Sequence, residues 1–388
     1  VELTPENGRQ LFVPRGFAHG FVSLKDNTLF QYLVDNDYRP DFENGILWND
    51  PELNIDWQFE KYGIETPILS EKDRLRQPLS VVNPNFYMHK RYLVTGYKGQ
   101  LGYDIVRELN NRGIYDVLAL DIDEMDITNS RSVKKIIEEY EPDCIFHCAA
   151  YTQVDKAEEN KNLAYKINVE GTKNITSAAH NVGAKLIYIS TDYVFDGTKE
   201  GSYQVGDVPN PQSNYGKTKL IGEMEALKNE KTFVVRTSWV FGVNGNNFVK
   251  TMLKLKENHD SLTVVNDQIG SPTYTVDLAK LLVDMSETEK YGIYHANNSG
   301  YCSWAEFAEY ILKDTNTKVI KTTTEDYYKP QYEKAEQEGR KLFIAPRPKN
   351  SCLSKEKLKE NGFNELPEWE DAVDRYQKEL KKIKQLKR

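Results

Sequence analysis

The stretch Val94-Thr95-Gly96-Tyr97-Lys98-Gly99-Gln100-Leu101-Gly102 joins a short apolar run to an amphipathic helical pattern. Its three glycines allow the backbone to turn tightly, to approach a pyrophosphate closely and to pack the helix against the strand. The anion would rest on the N–H groups at the N-terminus of that helix. An ordinary tight turn is the alternative, but the strand before and the helix after favour a dinucleotide-binding loop.

The second predicted strand ends at Asp121, nineteen positions after Gly102. A carboxylate at this place accepts a hydrogen bond from the 2′-hydroxyl of the adenosine ribose and repels a 2′-phosphate. No arginine follows it closely, because the next residues are Ile122, Asp123 and Glu124. The residues therefore predict NADH or NADPH as the cofactor with NADH favoured, and a solvated acid is the alternative for Asp121.

From residue 92 onward, continuous apolar runs alternate with helical patterns, which is typical of a parallel sheet covered on both faces. The fold class expected is α/β, a Rossmann-type doubly wound parallel sheet with a smaller C-terminal substrate-binding region. Loops that carry chemistry should lie at the carboxyl ends of the strands. The predicted strands are Tyr92–Thr95, Asp116–Leu120, Asp143–Cys148, Lys185–Ser190, Phe233–Thr237 and Gly292–Ala296.

Tyr215 and Lys219 lie four residues apart at the start of a predicted helix and share one of its faces. A free phenol has a pKa near ~10, and a nearby ammonium lowers it by stabilising the phenolate. Such a pair can exchange a proton at neutral pH. The spacing arises often by chance in a chain with 24 tyrosines, but together with the glycine loop it favours acid–base chemistry.

Residues 88 to about 385 resemble the extended short-chain dehydrogenase/reductase family, and within it the dTDP-4-dehydrorhamnose reductases. Several separate motifs carry the resemblance, and together they are specific. They are Thr95–Gly102, Ala149–Thr152 with Val154–Asp155, Ser190–Phe195, Tyr215–Lys219, Arg236–Trp239, Asn247–Phe248, Asp267–Thr273 and Arg347–Ser351.

The resemblance implies hydride transfer from NAD(P)H to carbon 4 of dTDP-4-dehydro-L-rhamnose, which gives dTDP-L-rhamnose. It implies that Tyr215 donates the proton, that Lys219 tunes Tyr215 and holds the nicotinamide ribose, and that Thr191 hydrogen-bonds the ketone. The substrate contacts it implies are Thr191, Asp192, Trp239 and Arg347; a core tryptophan and a surface arginine are the alternatives for the last two. The cofactor contacts it implies are Gly96, Gly99, Gln100, Leu101, Gly102, Asp121, Asp126, Ile127, Ala149, Ala150, Tyr151, Thr152 and Lys219.

No metal site is predicted. Some family members use acidic residues to hold magnesium, and Asp104 suggests one such residue, but the sequence does not supply a full ligand set. His147 lies between apolar neighbours in a predicted strand, which favours a buried side chain over a metal ligand.

Residues 9–58 resemble the C-terminal half of the dTDP-4-dehydrorhamnose 3,5-epimerases, which are cupin jelly rolls. An N-terminal all-β segment, a partial jelly roll, is therefore expected. The resemblance implies substrate contacts at His19 and Glu43 and an acid at Tyr32, with Tyr38 as the near alternative. The base histidine of that family lies in an Arg-Gly-Leu-His stretch that this chain lacks, so epimerisation by this chain alone is not expected. The predicted β pieces are Leu11–Val13, Gly20–Leu24, Leu29–Val34 and Gly45–Trp48.

Three regions are expected along the chain. They are an epimerase-like segment at 1–69, a linker at 70–87 and a reductase domain at 88–388. Within the last, the Rossmann core would span about 90–240 plus 292–297, and the substrate-binding part about 241–291 and 298–388. The chain begins at Val1 rather than Met, which suggests that residues precede it.

The 388 residues carry a net charge of −8, which argues against nucleic acid as the main partner. The sequence contains no run of about 18 apolar residues, so no membrane span is predicted. Four cysteines in a chain of this length fit a reducing cytoplasm. The expected partner is a small dTDP-sugar, and a homodimer or a separate epimerase stays open. Two other functions stay open: a bifunctional epimerase–reductase, and a non-catalytic NAD(P)-binding regulatory subunit that would not need Thr191, Tyr215 and Lys219.

Overall fold

The computed structural model describes residues 1–13, 17–34, 44–82 and 90–386. The chain divides into two compact units, Val1–His89 and Lys90–Arg388. No helix among the described residues is long and apolar enough to cross a membrane.

The first unit contains little regular structure in its described part. A 3₁₀ turn spans Glu60–Tyr62, helix α1 spans Glu71–Leu75, and a single bridge joins Ile46 to Gln77. The predicted β pieces form no strands in the ranges 1–13, 17–34 and 44–82, so the N-terminal all-β segment is not confirmed. A strand needs a neighbour for its backbone groups and an opposing layer for its apolar face, and here Phe12, Leu29 and Leu33 are at least 86% exposed.

The second unit alternates strands and helices along the chain. Its helices are α2 Gln100–Arg112, α3 Ser130–Tyr140, α4 Val154–Glu159, α5 Lys161–Tyr165, α6 Thr172–Val182, α7 Asn214–Ala226, α8 Phe248–Leu255, α9 Thr275–Ser286, α10 Trp304–Ile311, α11 Thr324–Gln337, α12 Glu356–Glu360 and α13 Trp369–Leu386. Its strands are β1 Lys90–Thr95, β2 Tyr115–Leu120, β3 Cys144–His147, β4 Lys185–Thr191, β5 Thr232–Thr237, β6 Val240–Phe241, β7 Ser261–Val265, β8 Ile269–Gly270, β9 Thr273–Tyr274, β10 Gly292–His295, β11 Asn298–Ser299, β12 Cys302–Ser303, β13 Lys318–Thr322, β14 Asn350–Ser351 and β15 Leu366–Glu368.

Six of these strands form one parallel sheet in the order β2-β1-β3-β4-β5-β10. They are the six strands that the apolar runs predicted, and the Rossmann-like α/β fold is confirmed. The strand order reverses between β1 and β3. In open parallel sheets, ligands bind in the crevice outside the carboxyl ends of the strands at such a reversal.

Two apolar cores cover the sheet, one on each face. Tyr92 and Val94 of β1 pack with α2 and α9, whereas Leu93 between them packs with α3 and α6. This alternation follows from the two-residue period of a strand. A third core brings β6, β7, α8, α10 and α13 together around Phe307 and Tyr376, which forms the smaller C-terminal region.

Candidate active site

The glycine loop lies at the carboxyl end of β1, beside the reversal point. Gly96 has φ +67°, and a Cβ there would lie 2.8 Å from the backbone nitrogen of Ala149. A Cβ on Gly102 would lie 2.4 Å from the carbonyl oxygen of Gly96. Gly99 begins α2 without a side-chain cap, so no side chain competes with a phosphate for the N–H groups of the first turn.

Two predicted cofactor contacts in this region are held by protein groups. Asp121 accepts hydrogen bonds from the backbone N–H groups of Ile122, at 2.8 Å, and Lys98, at 3.1 Å. The Gln100 side chain accepts from the Gly242 N–H and from Asn247 Nδ2, each at 3.0 Å. Gln100 therefore ties the glycine loop to the C-terminal region with its side chain, which leaves its backbone to face a pyrophosphate.

The remaining predicted cofactor contacts lie in the segments that follow β2 and β3. Ile127 is buried and packs against Gly171. A Cβ added to Gly171 would lie only 2.6 Å from Ile127 Cδ1. Asp126 is exposed and accepts from the N–H of Thr128 at 2.9 Å. Ala149, Ala150 and Tyr151 are partly exposed and Thr152 is exposed in the loop after β3.

Asn168 belongs to this site and the sequence pattern did not predict it. It lies in a π-helical turn at Lys166–Gly171, inside a long helical pattern, and it is 1% exposed. Its side chain accepts from the Tyr151 N–H at 2.7 Å and donates to the Tyr151 carbonyl at 3.2 Å and to Thr218 Oγ1 at 3.1 Å. It thereby joins the cofactor loop to the residue before Lys219. A π-turn often marks a functional position, but nothing in the sequence announces one.

Thr191 ends β4 and Tyr215 begins α7, and the fold brings them together. The Thr191 hydroxyl interacts with the Tyr215 phenol, and the Tyr193 ring meets the Tyr215 ring edge-on at 5.5 Å between centroids. Burial raises the pKa of Tyr215 above its ordinary value and the Thr191 hydroxyl opposes that rise. Ser213 fixes the start of α7 by accepting the Gly216 N–H at 3.0 Å.

Lys219 is 3% exposed on the inner face of α7. Its Nζ donates to the Ile189 carbonyl at 2.7 Å and lies 4.1 Å from the ring centroid of Tyr188. Burial lowers the pKa of Lys219 to about 7, against the attraction of Glu223 one turn further along the helix. In this structure the amine engages β4, and its tuning of Tyr215 stays a prediction.

Asp192 is buried behind Thr191 with both carboxylate oxygens engaged. Thr191 Oγ1 donates to Oδ1 at 2.9 Å, and Ser351 Oγ of β14 donates to Oδ2. Burial raises the pKa of Asp192 to about 6, although the Ser351 and Thr191 hydroxyls lower it. The predicted substrate contact therefore faces protein hydroxyls in this structure.

Trp239 and Arg347 lie on the side of the C-terminal region. Trp239 has φ +49° and its indole stacks on Trp304 with ring centroids 3.7 Å apart. Both indoles are partly exposed, so they form a flat apolar wall. Arg347 Nη2 lies 2.7 Å from Asp155 Oδ2, and the Arg347 side chain is 16% exposed. Arg347 is therefore a largely buried, ion-paired arginine.

The other singled-out residues have protein partners. His147 is 2% exposed between Thr95 Oγ1, at 2.8 Å, and Thr172 Oγ1, at 3.2 Å, and burial lowers its pKa to about 3. Asp104 is buried beside Thr275 and lies 3.2 Å from the Arg107 guanidinium. The part of the chain that the structure describes contains no group of three residues able to hold a metal ion.

The epimerase-like residues are only partly described. Tyr32 is 69% exposed and His19 is exposed. Glu43 and the alternative Tyr38 lie outside the described residues.

Comparison with known proteins identifies relatives of both parts of this chain. Residues 90–382 match the family described as the RmlD substrate binding domain, and residues 1–80 match dTDP-4-dehydrorhamnose 3,5-epimerase. The dTDP-4-dehydrorhamnose reductase of Aggregatibacter actinomycetemcomitans is 41% identical over 298 residues, covering 73% of this chain and 97% of that relative. The spore coat polysaccharide biosynthesis protein SpsK of Bacillus subtilis is 40% identical over 292 residues, covering 74% of this chain and 97% of that relative.

A solved structure gives the same result. The dTDP-4-dehydrorhamnose reductase of Bacillus anthracis, crystallised in complex with NADP, superposes with a TM-score of 0.70 at 41% identity, covering 75% of this chain and all 100% of that chain. The predicted resemblance and the predicted enzyme class are therefore confirmed. The chain belongs to the dTDP-4-dehydrorhamnose reductase family.

Proposed function

We propose that this chain reduces the 4-keto group of dTDP-4-dehydro-L-rhamnose to give dTDP-L-rhamnose, with NADH or NADPH as the reductant. The observation that carries the proposal is the meeting of Thr191 and Tyr215 at the carboxyl edge of the sheet, with Lys219 one turn further along α7. A non-catalytic regulatory subunit would have no need of this set.

The glycine loop fits a dinucleotide. A Cβ on Gly96 or Gly102 would lie only 2.8 or 2.4 Å from backbone atoms, so the loop can turn and pack this tightly only with glycine, as a dinucleotide-binding turn requires. In this proposal Asp121 would accept the ribose hydroxyl, so we infer a preference for NADH. When bound, the dihydronicotinamide supplies the hydride.

The chain's own residues supply the proton and the orientation. Tyr215 would donate its phenolic proton to the oxygen of the ketone, and the Thr191 hydroxyl would hold that oxygen. Lys219 would hold the nicotinamide ribose and, once charged, would stabilise the Tyr215 phenolate. Burial outweighs the attraction of Glu223 and lowers the pKa of Lys219 to about 7, so an anionic partner in the cleft would favour its charged form.

The nucleotide sugar would lie between the Trp239 wall and the Arg347 pair. The stacked indoles of Trp239 and Trp304 present apolar area to a sugar or base ring. Arg347 is a diphosphate ligand in this proposal, and it would have to exchange Asp155 for phosphate oxygens. Asp192 would contact the sugar only after releasing one of its present hydroxyl partners.

Epimerisation is not part of the proposed activity. The match of residues 1–80 to the epimerase family raises the bifunctional alternative, but the base histidine that such chemistry needs is not in this sequence. A separate epimerase would then deliver the substrate, and a homodimer stays open. We propose the cytoplasm as the location, because all four cysteines are free thiols.

One assay tests the proposal. The purified chain is mixed with NADH or NADPH and dTDP-4-dehydro-6-deoxyglucose, with and without a purified 3,5-epimerase. The loss of nicotinamide absorbance should require the epimerase. Oxidation without it would support the bifunctional alternative, and no oxidation in either mixture would overturn the proposed reductase.

A further inference from the structure

A continuous line of hydroxyl and carboxyl groups leads away from Tyr215. The Thr191 hydroxyl lies beside the Tyr215 phenol and donates to Asp192 Oδ1 at 2.9 Å. Asp192 Oδ2 in turn accepts from Ser351 Oγ. Thr191, Asp192 and Ser351 are each at most 5% exposed. The line thus runs from the reacting phenol, through β4, to β14 of the C-terminal region.

The carboxyl in this line has no cationic partner among the described residues. The ionisable groups facing it are Tyr215 on α7 and Tyr193 in the turn after β4, and β14 offers only Asn350 and Ser351. Arg347 lies beyond Tyr193 and is paired with Asp155. A carboxyl held only by hydroxyls can exist in either protonation state near neutral pH, and burial accordingly raises the pKa of Asp192 to about 6.

The reaction needs a proton at this place. Each reduction takes the phenolic proton of Tyr215 and leaves a phenolate in surroundings that disfavour its charge, because burial raises the pKa of Tyr215. The phenolate must be reprotonated before the next turnover. The hydroxyl that hydrogen-bonds the Tyr215 phenol is that of Thr191, and the acid behind that hydroxyl is Asp192.

We propose that Asp192 supplies the proton that restores Tyr215 after each reduction, passing it through the Thr191 hydroxyl, while Ser351 holds the carboxyl in place. The Tyr215 oxygen takes the Thr191 hydroxyl proton as Thr191 Oγ1 takes the Asp192 proton. The Asp192 carboxylate then takes a proton from water. The sum is one proton drawn from solvent for each ketone reduced, which balances the hydride. Asp192 and Ser351 are positioning residues in this scheme, since they act through Thr191.

This inference rests on the proposed reductase function, and the test separates the two. The full chain is mixed rapidly with NADH and epimerised substrate, and nicotinamide absorbance is followed through the first turnover and beyond. In D192N we expect a burst of one equivalent per site, because Tyr215 starts protonated. The steady rate that follows should be at least 10-fold slower, because an amide does not supply a proton.

The pH dependence of kcat supplies a second reading. In the wild type we expect kcat to fall as the pH rises through about 6, because Asp192 loses its proton, and in D192N this limb should be absent. Ser351→Ala removes a hydroxyl that stabilises the Asp192 carboxylate. The midpoint of the fall in kcat should therefore move to higher pH by about one unit in this variant. Ser354→Ala is the matched control three residues away, and its midpoint should equal that of the wild type.

Each outcome decides between the claims. A wild type that oxidises no NADH overturns the reductase function and this inference with it. The proposed proton supply alone is overturned if the wild type turns over but D192N loses the burst and the steady rate to the same extent. In that case D192N would also keep the fall in kcat near pH 6. Should D192N not fold, an unchanged midpoint in Ser351→Ala overturns the inference.

Discussion

Glu223 and Arg236 form a buried, doubly hydrogen-bonded ion pair between α7 and β5. Arg236 Nε lies 2.9 Å from Glu223 Oε1 and Nη2 lies 2.7 Å from Oε2, and each side chain is 2% exposed. Glu223 also accepts from Ser190 Oγ, next to the Ile189 carbonyl that holds Lys219. The pair therefore joins α7 to β4 and β5 close to Lys219, one turn along the same helix.

Breaking this pair should destabilise the fold strongly. Glu223→Gln leaves the Arg236 charge buried without its partner, and the free energy of unfolding should drop by about 3–5 kcal/mol. Asp374→Asn is the matched control, because it breaks the Lys313–Asp374 pair, whose side chains are 38% and 41% exposed; the expected loss is about 0–1 kcal/mol. Urea unfolding of both variants measures the difference, and equal losses would contradict the prediction.

Tyr215→Phe should abolish reduction and leave NADH binding nearly unchanged. The phenyl ring keeps its contact with Tyr193 but carries no proton for the ketone oxygen. A drop in kcat of about 10²–10⁴ is expected from the loss of a general acid, with the Kd for NADH within about twofold. Steady-state rates and titration of cofactor fluorescence measure the two quantities, and a variant that retained most of its kcat would exclude Tyr215 as the acid.

Gly102→Ala should weaken cofactor binding. Its Cβ would stand 2.4 Å from the Gly96 carbonyl oxygen, so the loop and the helix would have to move apart. We expect at least a tenfold rise in the Kd for NADH. The control is Gly206→Ala, where a Cβ meets nothing within 4 Å, and its Kd should equal that of the wild type. An equal Kd in both variants would show that the loop is not the pyrophosphate site.

Asp121→Ala should narrow the preference for NADH over NADPH. The carboxylate that would accept the 2′-hydroxyl and repel a 2′-phosphate is then gone. The measurement is the ratio of kcat/KM for the two cofactors, which should move toward NADPH. An unchanged ratio would remove Asp121 from the ribose site.

Lys219 should make stability depend on pH in the absence of cofactor. Its pKa is lowered to about 7 by burial, against the ordinary value of 10.5 that it regains on unfolding. Between these values the unfolded chain binds one more proton than the folded chain, so the free energy of unfolding rises with pH from about 7 towards 10. Compared with Lys219→Met, the wild type should gain thermal stability between pH 7 and 9. Lys217→Met, exposed on the same helix, should follow the wild type, and parallel curves for all three proteins would contradict the assignment.

The apolar runs were sufficient to predict the six-stranded sheet, because strands covered on both faces are predominantly apolar. The glycine loop and the Tyr215 region were predictable for a related reason, since their spacing is dictated by local backbone geometry. The contact of Ser351 with Asp192 was not, because 159 residues separate them and only the fold determines that they meet. Asn168 was missed since its role depends on a π-turn without a sequence mark.

The predicted N-terminal β pieces show where the sequence pattern is not sufficient to predict structure. Their alternation of apolar and polar residues is compatible with strands, but a strand forms only with a partner for its N–H and C=O groups. The described residues of that unit give Ile46 a single bridging partner, Gln77. The alternation of apolar and polar residues indicates that a segment can form a strand against a neighbouring layer. It does not indicate whether the fold supplies that layer.

The order of strands in the central sheet also determines the distance between the glycine loop and Thr191. β1 carries the glycine loop and β4 carries Thr191, with β3 alone between them. Neighbouring strands are about 4.7–4.9 Å apart, so the glycine loop and Thr191 lie roughly 10 Å apart across the sheet. Under the proposed function, this is the distance between the groups that would hold the pyrophosphate and the ketone. In the proposed reaction, an inserted strand would hold the nicotinamide too far from the ketone without any change to Thr191, Tyr215 or Lys219.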